Sequence, residues 1–535
     1  MSGRLIGTGR QWALGLADRL VTLPVLRWTW RGQNEIAFTG DLPDFRPADR
    51  EAVRDMMSGR YLLASKLFET GGASPFMLDV DHPDWWNNLH SFSWLRHFRD
   101  VRDPGERLFA RTLVLDWIGR EGQFEHDSWT LTLTAQRVLN WLRHLNLLLD
   151  GATPDQAKTM QRSLGIQVQS LRVRGPLATD PADTLFAAIG LLGAELCNAS
   201  DVPDIDGSVA RLDAVLARQL DQDGLHLSRN PKVQLALLTE LTSLKRALGR
   251  HGNPQTAELS NRIDRMHEAL DALTLSSGEP VFFNGCGQVP HDILVAVQAN
   301  GPIPSRHSGL LGGYGIVRTG ESVVIADSGL MPPSGFDADI HAGALAFEFS
   351  HASELIVGSC GPAPSDMPEN RDLFRQSVAH SAPTIDAEDA VLRGRAQPKI
   401  ELDSAEHMLA MTTSGYAGHF GAEIERRLTL LSGGTTLVGQ DRIVAQSEAP
   451  KGRLAVRFHL APGIDVRRSS GDGMARLILP NGNVWSFLWE GGTFHEEDSV
   501  RQSSYLGFHR TRQLVLETDV APGAELAWIF TLEQQ

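Results

Sequence analysis

Several clusters in this chain have residue types and spacing that could do chemistry. Asp223-Gly224 is followed by His226, Ser228, Arg229 and Asn230 immediately before Pro231. That order concentrates polar groups at a helix N-terminus, where backbone N–H groups and a cation engage a carboxylate. The same segment also reads as a capped loop, with Asn230 as N-cap and Pro231 at the first helical position. Arg137 and Trp141 lie four apart in a helical run, so they share a face, and an arginine beside an aromatic platform suits an acidic sugar. In Trp85-Trp86-Asn87-Asn88-Leu89-His90, Trp86 offers a stacking surface and His90 a hydrogen-bonding group, with core tryptophans as the rival reading. Tyr416, one of only four tyrosines, stands in a glycine-flanked pair with His419 that suits an acid and a base. His341 and Cys360 fall on two strand-like runs and His380 follows. If these strands are neighbours in one sheet, the three make an N₂S set for a metal ion, whose fourth ligand is water, Asp339 or His459. A buried structural cysteine and hydrogen-bonded histidines are the alternative there.

The elements that must hold these groups differ between the two halves. From about residue 50 to 275, apolar residues recur at three- and four-residue spacing. Helices are predicted over Leu131 to Leu149, Leu185 to Cys197 behind Asp180-Pro181, Val209 to Leu220, Pro231 to Leu248 and Ala257 to Leu273. Short connections and no intervening strands suggest stacked antiparallel hairpins, as in an α/α toroid. After Gly278 the texture becomes β-rich, with runs such as Ser322 to Asp327, Leu345 to Ser350 and Glu423 to Leu431 separated by glycine and polar turns. That pattern predicts an antiparallel β-sandwich. The expected fold is thus α+β and multidomain, with a toroid over residues 1–290 and a sandwich over 300–535.

Composition limits the function. The 535 residues, 42% hydrophobic and 21% charged, exceed what one core supports and leave no long disordered tract. A net charge of -15 argues against general affinity for nucleic acid or anionic membranes, while leaving room for local basic sites. Three scattered cysteines are too few for a disulfide framework. Met1 to Arg31 lacks an uninterrupted apolar core with a cleavage site, which reads as non-secreted and cytoplasmic, with a periplasmic location as the alternative. No run approaches the ~20 apolar residues that span a bilayer.

His341-Ala-Gly-Ala-Leu-Ala-Phe-Glu-Phe-Ser350, with Phe283-Asn284-Gly285, Arg137-Val138-Leu139-Asn140-Trp141 and Asp223 to Pro231, resembles the heparinase II/III family of polysaccharide lyases. The resemblance implies an α/α toroid joined to a β-sandwich, cleavage of uronic-acid polysaccharides by β-elimination in a cleft between them, and in some members a zinc ion in the sandwich. Such chemistry needs a group that neutralises the uronate carboxylate, a base for the C5 proton and an acid for the leaving oxygen. On this reading Arg229 with Arg137 neutralises, His226 or Tyr416 removes the proton, and the other or His90 protonates. Trp141, Asn230 and Trp86 then contact the sugar.

The chain departs from the family pattern at informative places. Val233 stands where a catalytic tyrosine follows a Ser-Pro, Ala182-Asp183 where an Asn-His pair begins a helix, and Asp339 where a first histidine precedes His341. The expectation is a lyase-like protein that takes an acidic oligo- or polysaccharide. The alternatives are a catalytically degenerate glycan-binding or envelope-assembly protein and, further off, a glycoside hydrolase using paired carboxylates such as Asp337 and Asp339.

Overall fold

A computed structural model describes residues 2–533 except 24, 27–36, 41, 123, 125–126, 200–202, 250–253, 305, 392–396, 448 and 469–472. The chain divides into two compact units. The first comprises Met1–Leu220, Leu237–Asp264 and Val295–Gly301, and the second Asp221–Ala236, Arg265–Leu294 and Pro302–Gln535.

The first unit is built mainly of helices, and local chemistry sets their starts. Asp103 and Asp180 each accept two backbone N–H bonds ahead of a proline, opening Pro104–Glu121 and Pro181–Leu196. Thr153 and Gln156 form a reciprocal capping box at Pro154–Arg174. Leu131–Leu149 is buried nearly all round and packs against both Pro154–Arg174 and Pro181–Leu196, which is why its sequence is apolar on more than one face. Among the described residues no helix is long and apolar enough to cross a membrane.

The second unit holds two large antiparallel sheets. One runs edge to edge through Thr493–Ser503, Gly507–Asp519, Arg453–Leu460, Glu354–Gly358, Ala346–His351, Ser322–Asp327, Tyr314–Thr319 and Gly309–Leu311, with Pro383–Ile385 also pairing with Arg453–Leu460. The other runs through Asp465–Arg468, Met474–Ile478, Val484–Glu490, Glu525–Leu532, Thr436–Ala445, Ala422–Leu431, Met408–Thr413 and Ile400–Ala405. Ser322–Asp327 and Ala346–His351 are buried along their whole length, so both faces of the first sheet are covered there. Ala422–Leu431 alternates, with one face toward the core.

Aromatic rings from the two sheets meet in that core. Phe347 stacks on Trp528 at 5.4 Å, and Phe458 meets Trp528 edge-on at 4.8 Å. Each such side chain contributes roughly 1.5–3 kcal/mol of burial. Gly439 lies opposite Trp528 in the strand register, and a Cβ there would stand 2.0 Å from the indole, so the position admits only glycine. A fully buried Arg426–Asp441 pair, 2.6 Å apart, ties the layers together. Its arginine donates to the carbonyls of Leu345 and Ser381, and its aspartate accepts from Trp528 Nε1.

Candidate functional site

The polar segment before Pro231 folds as a tight loop in the second unit. Gly224 adopts φ +82 with its Cα against the Arg265 backbone, so no side chain fits there. Gln234 closes the loop by accepting from His226 N–H and donating to the carbonyls of Gly224 and Met266. Asn230 accepts from Lys232 N–H at 2.9 Å, which makes it the helix cap. Arg229 takes the left-handed conformation, φ +57, and this turns its side chain into the sandwich.

There Arg229 meets three acceptors and a ring. It donates to Asp327 Oδ1 at 2.7 Å, to the Gly312 carbonyl at 2.8 Å and to the Leu330 carbonyl at 2.5 Å, and lies 4.3 Å above the Tyr314 ring. Tyr314 donates its hydroxyl back to the Arg229 carbonyl. Asn284, also left-handed, donates to Tyr314 Oη and Asp327 Oδ2 and accepts from His341 N–H. Burial pushes the Tyr314 phenol well above its ordinary range. Neither Tyr314 nor Asp327 was flagged by the sequence. Tyr314 was findable as one of four tyrosines, whereas Asp327 sits in an apolar strand with no local signal.

His226 is nearly buried, and its ring meets Phe336 edge-on at 5.4 Å. Ser228 N–H donates to its Nδ1, which fixes that nitrogen as acceptor and leaves the proton of the neutral ring on Nε2. Burial lowers its pKa to about 4. Asn230 and Asp339 both crowd Gly285, whose φ is +86 and where a Cβ would be 2.6 Å from Asp339 Cβ. Beside them Arg371 donates to Asp339 Oδ1 and the Ala338 carbonyl, and Arg375 to the Ala338 and Ile340 carbonyls. Arg371 keeps about half its side chain exposed, at 53%. These two arginines are the sequence's main omission: they fall on Arg371–Phe374 and the turn after it, an irregular stretch without periodicity.

The metal set separates. His341 and His380 are adjacent, ring centroids 4.8 Å apart, and burial holds both neutral. His341 Nδ1 and both His380 nitrogens have no hydrogen-bond partner. Cys360 instead directs its sulfur to His459 Nδ1 at 3.6 Å and Ser499 at 3.9 Å, at the floor of a pocket of about 320 Å³. Among the described residues no group of three or more His, Cys, Asp or Glu side chains is arranged to hold a metal ion. Two imidazoles fit zinc, but the donor set they offer is incomplete.

The remaining candidates lie elsewhere. Tyr416 is buried in the sandwich and donates its hydroxyl to the Glu388 carbonyl, with burial raising its pKa far from neutrality. In the first unit, Arg137 is fully buried, 4.2 Å over Trp117, and donates to Gln167 and to the carbonyls of His90 and Ser128. His90 accepts from Trp117 Nε1 and stacks on Trp86 at 4.1 Å, and burial followed by the Arg137 charge lowers its pKa to about 3. Trp141 is wholly interior, edge-on to Phe92 and Trp117. The structure thus gathers His90, Trp86, Arg137 and Trp141, and groups His226, Arg229 and Asn230 separately. Of the first set only Trp86 keeps appreciable exposure, because the arginine serves as the polar centre of an aromatic core.

Known proteins agree with this architecture. The chain is 28% identical over 524 residues to FtsZ-localized protein C of Caulobacter vibrioides, covering 91% of this chain and 89% of that one. A crystal structure of heparinase III superposes with a TM-score of 0.70 at 12% identity, over 95% of this chain and 88% of the other. A heparan sulfate lyase mutant of Pedobacter heparinus gives 0.63 at 15% identity, over 95% and 87%. At these identities the likeness concerns fold, and it confirms the α/α toroid with an antiparallel β-sandwich. Residues 302–529 match the heparinase II/III-like C-terminal domain, which identifies that part of the chain as heparinase II/III-like.

Proposed function

We propose that this chain binds an acidic glycan on a heparinase-type fold without cleaving it. The observation that carries this reading is the internal use of Arg229: its guanidinium is paired with Asp327, and the two side chains are 5% and 2% exposed. A carboxylate neutraliser must reach the substrate, and this one is spent on the protein. The base fares no better. His226 has its acceptor nitrogen engaged by Ser228, and Tyr314 and Tyr416 are buried phenols whose ionisation is opposed by desolvation. Binding needs less. Arg371 and Arg375, neither of them buried, supply cations suited to a uronate or similar acidic sugar.

Similarity to a protein named for localisation with FtsZ supports placing this activity in envelope assembly. Calorimetric titration with size-defined uronate oligosaccharides tests the reading. Saturable binding with the oligosaccharide recovered intact is expected. No binding across acidic glycans, or recovery of shortened products, would contradict it. In the second case elimination with His226 as the proton-transfer group becomes the better account.

A further inference from the structure

The helix Ser2–Val21 carries an apolar stripe that nothing described covers. Trp12, Leu16 and Leu20 recur every four residues and are 74%, 43% and 47% exposed, and Leu23 extends the line. In the same unit Trp85, Trp94, Trp117, Trp129 and Trp141 are all at most 1% exposed, so Trp12 is not an ordinary core tryptophan. The opposite side of the helix is fixed in place. Asp18 accepts from Arg174 at 2.8 Å, and Thr22 is buried with its hydroxyl bonded to the Arg19 carbonyl. The stripe therefore points away from the body it is tied to.

Charge identifies the occupant. Residues 1–31 contain Arg4, Arg10, Arg19, Arg27 and Arg31 against a single acidic residue, Asp18, within a chain whose net charge is -15. That one carboxylate is the group neutralised by Arg174. An amphipathic helix with a Trp/Leu face and arginines in its sequence matches a surface that is apolar beneath and anionic above, which is the headgroup region of an acidic bilayer. A protein partner would satisfy the apolar face but would not require the local reversal of charge. We propose that Ser2–Val21 is an in-plane anchor that docks this protein on an anionic lipid surface through Trp12, Leu16 and Leu20. With arginines and Asp18 along its length, the helix lies in the interface and does not span it.

Flotation of the full chain with vesicles tests this directly. The protein is expected to co-float with phosphatidylglycerol-containing vesicles and poorly with pure phosphatidylcholine. The Trp12→Glu/Leu16→Glu variant should lose at least about tenfold in partitioning, since two buried apolar side chains are replaced by charges. Arg10→Glu/Arg19→Glu should weaken binding selectively on the acidic vesicles. Because Trp12 and Leu16 are exposed, circular dichroism and the melting temperature should be unchanged. The proposal fails if wild-type protein stays with the unbound fraction, if W12E/L16E floats as well as wild type, or if both vesicle types bind equally. It fails too if light scattering shows a dimer that W12E/L16E dissolves without any vesicle binding, which would assign the face to a second copy of the chain.

Discussion

Arg229 reaches Asp327 across 98 residues of sequence, with Nη2 2.7 Å from Oδ1 and both side chains out of solvent. The pair joins the loop before Pro231 to the end of the strand Ser322–Asp327, and Asn284 and Tyr314 complete its hydrogen bonding. A buried pair of this kind is costly to break from one side, because the surviving charge is left without a partner.

Asp327→Ala should therefore destabilise the protein by about 3–5 kcal/mol in denaturant unfolding, whereas a paired replacement of Arg229 and Asp327 by Met and Leu should cost much less. A loss below about 1 kcal/mol for Asp327→Ala would mean that Arg229 is available to ligand after all.

Stability should fall steeply below neutral pH. His226 and His459 are held at about 4, and His90 and His341 at about 3, mainly by burial, against an ordinary value of 6.5. These groups stay neutral when folded and protonate when unfolded, so their contribution is complete above 6.5 and is lost as pH drops through the folded values. Glu348 acts in the opposite sense: burial raises it to about 7 from 4.5, so folding retains its proton. The histidines outweigh it, since His97 is also held at about 4 and His380 well below its ordinary value, so unfolding near pH 5.5 should take up several protons net, read from the pH slope of unfolding free energy. His341→Gln should reduce that slope by about one; an unchanged slope would contradict the buried-neutral assignment.

Removing the cations that remain near the surface should affect binding more than folding. Arg371 pairs with Asp339 in a half-exposed bridge, so Arg371→Ala should leave the melting temperature nearly unchanged. Together with Arg375→Ala it should weaken acidic oligosaccharide binding by roughly tenfold or more, with the loss shrinking as salt rises. Equal affinity in the double variant would place the glycan elsewhere.

Zinc should be well below one per chain in protein purified without chelator, because His341 and His380 lack a third converging ligand and Cys360 is engaged with His459. Stoichiometric zinc that vanishes in His380→Ala would show that the site assembles around the ion.

Periodicity and caps made the elements legible. Leu131–Leu149, Pro231–Leu248 and Ser322–Asp327 appear with the ends read from sequence, because Asp150, Pro231 and Asp327 stand at those ends and the runs between them are regular. The hairpin Thr493–Ser503 with the start of Gly507–Asp519 was missed, since His495, Glu496, Glu497 and Asp498 give it no apolar alternation and its strands are held by cross-strand charge pairs such as Arg512 with Glu496. The site was legible only by residue type. His226, Arg229 and Asn230 stand out as a polar cluster, but their availability depends on Asp327, Tyr314 and Asn284, whose approach is a product of folding with no local trace. The same holds for Arg137: a helix-face arginine beside tryptophan reads as a sugar platform until its burial among Trp117, Gln167 and backbone carbonyls is known.

The most direct test of binding without cleavage is the ultraviolet absorbance of the unsaturated uronate formed by β-elimination, followed while the protein is incubated with a panel of uronate polysaccharides. The committed Arg229 and the engaged His226 predict a flat trace across the panel, at protein concentrations where binding is saturated. A sustained rise that disappears in His226→Ala would contradict the account.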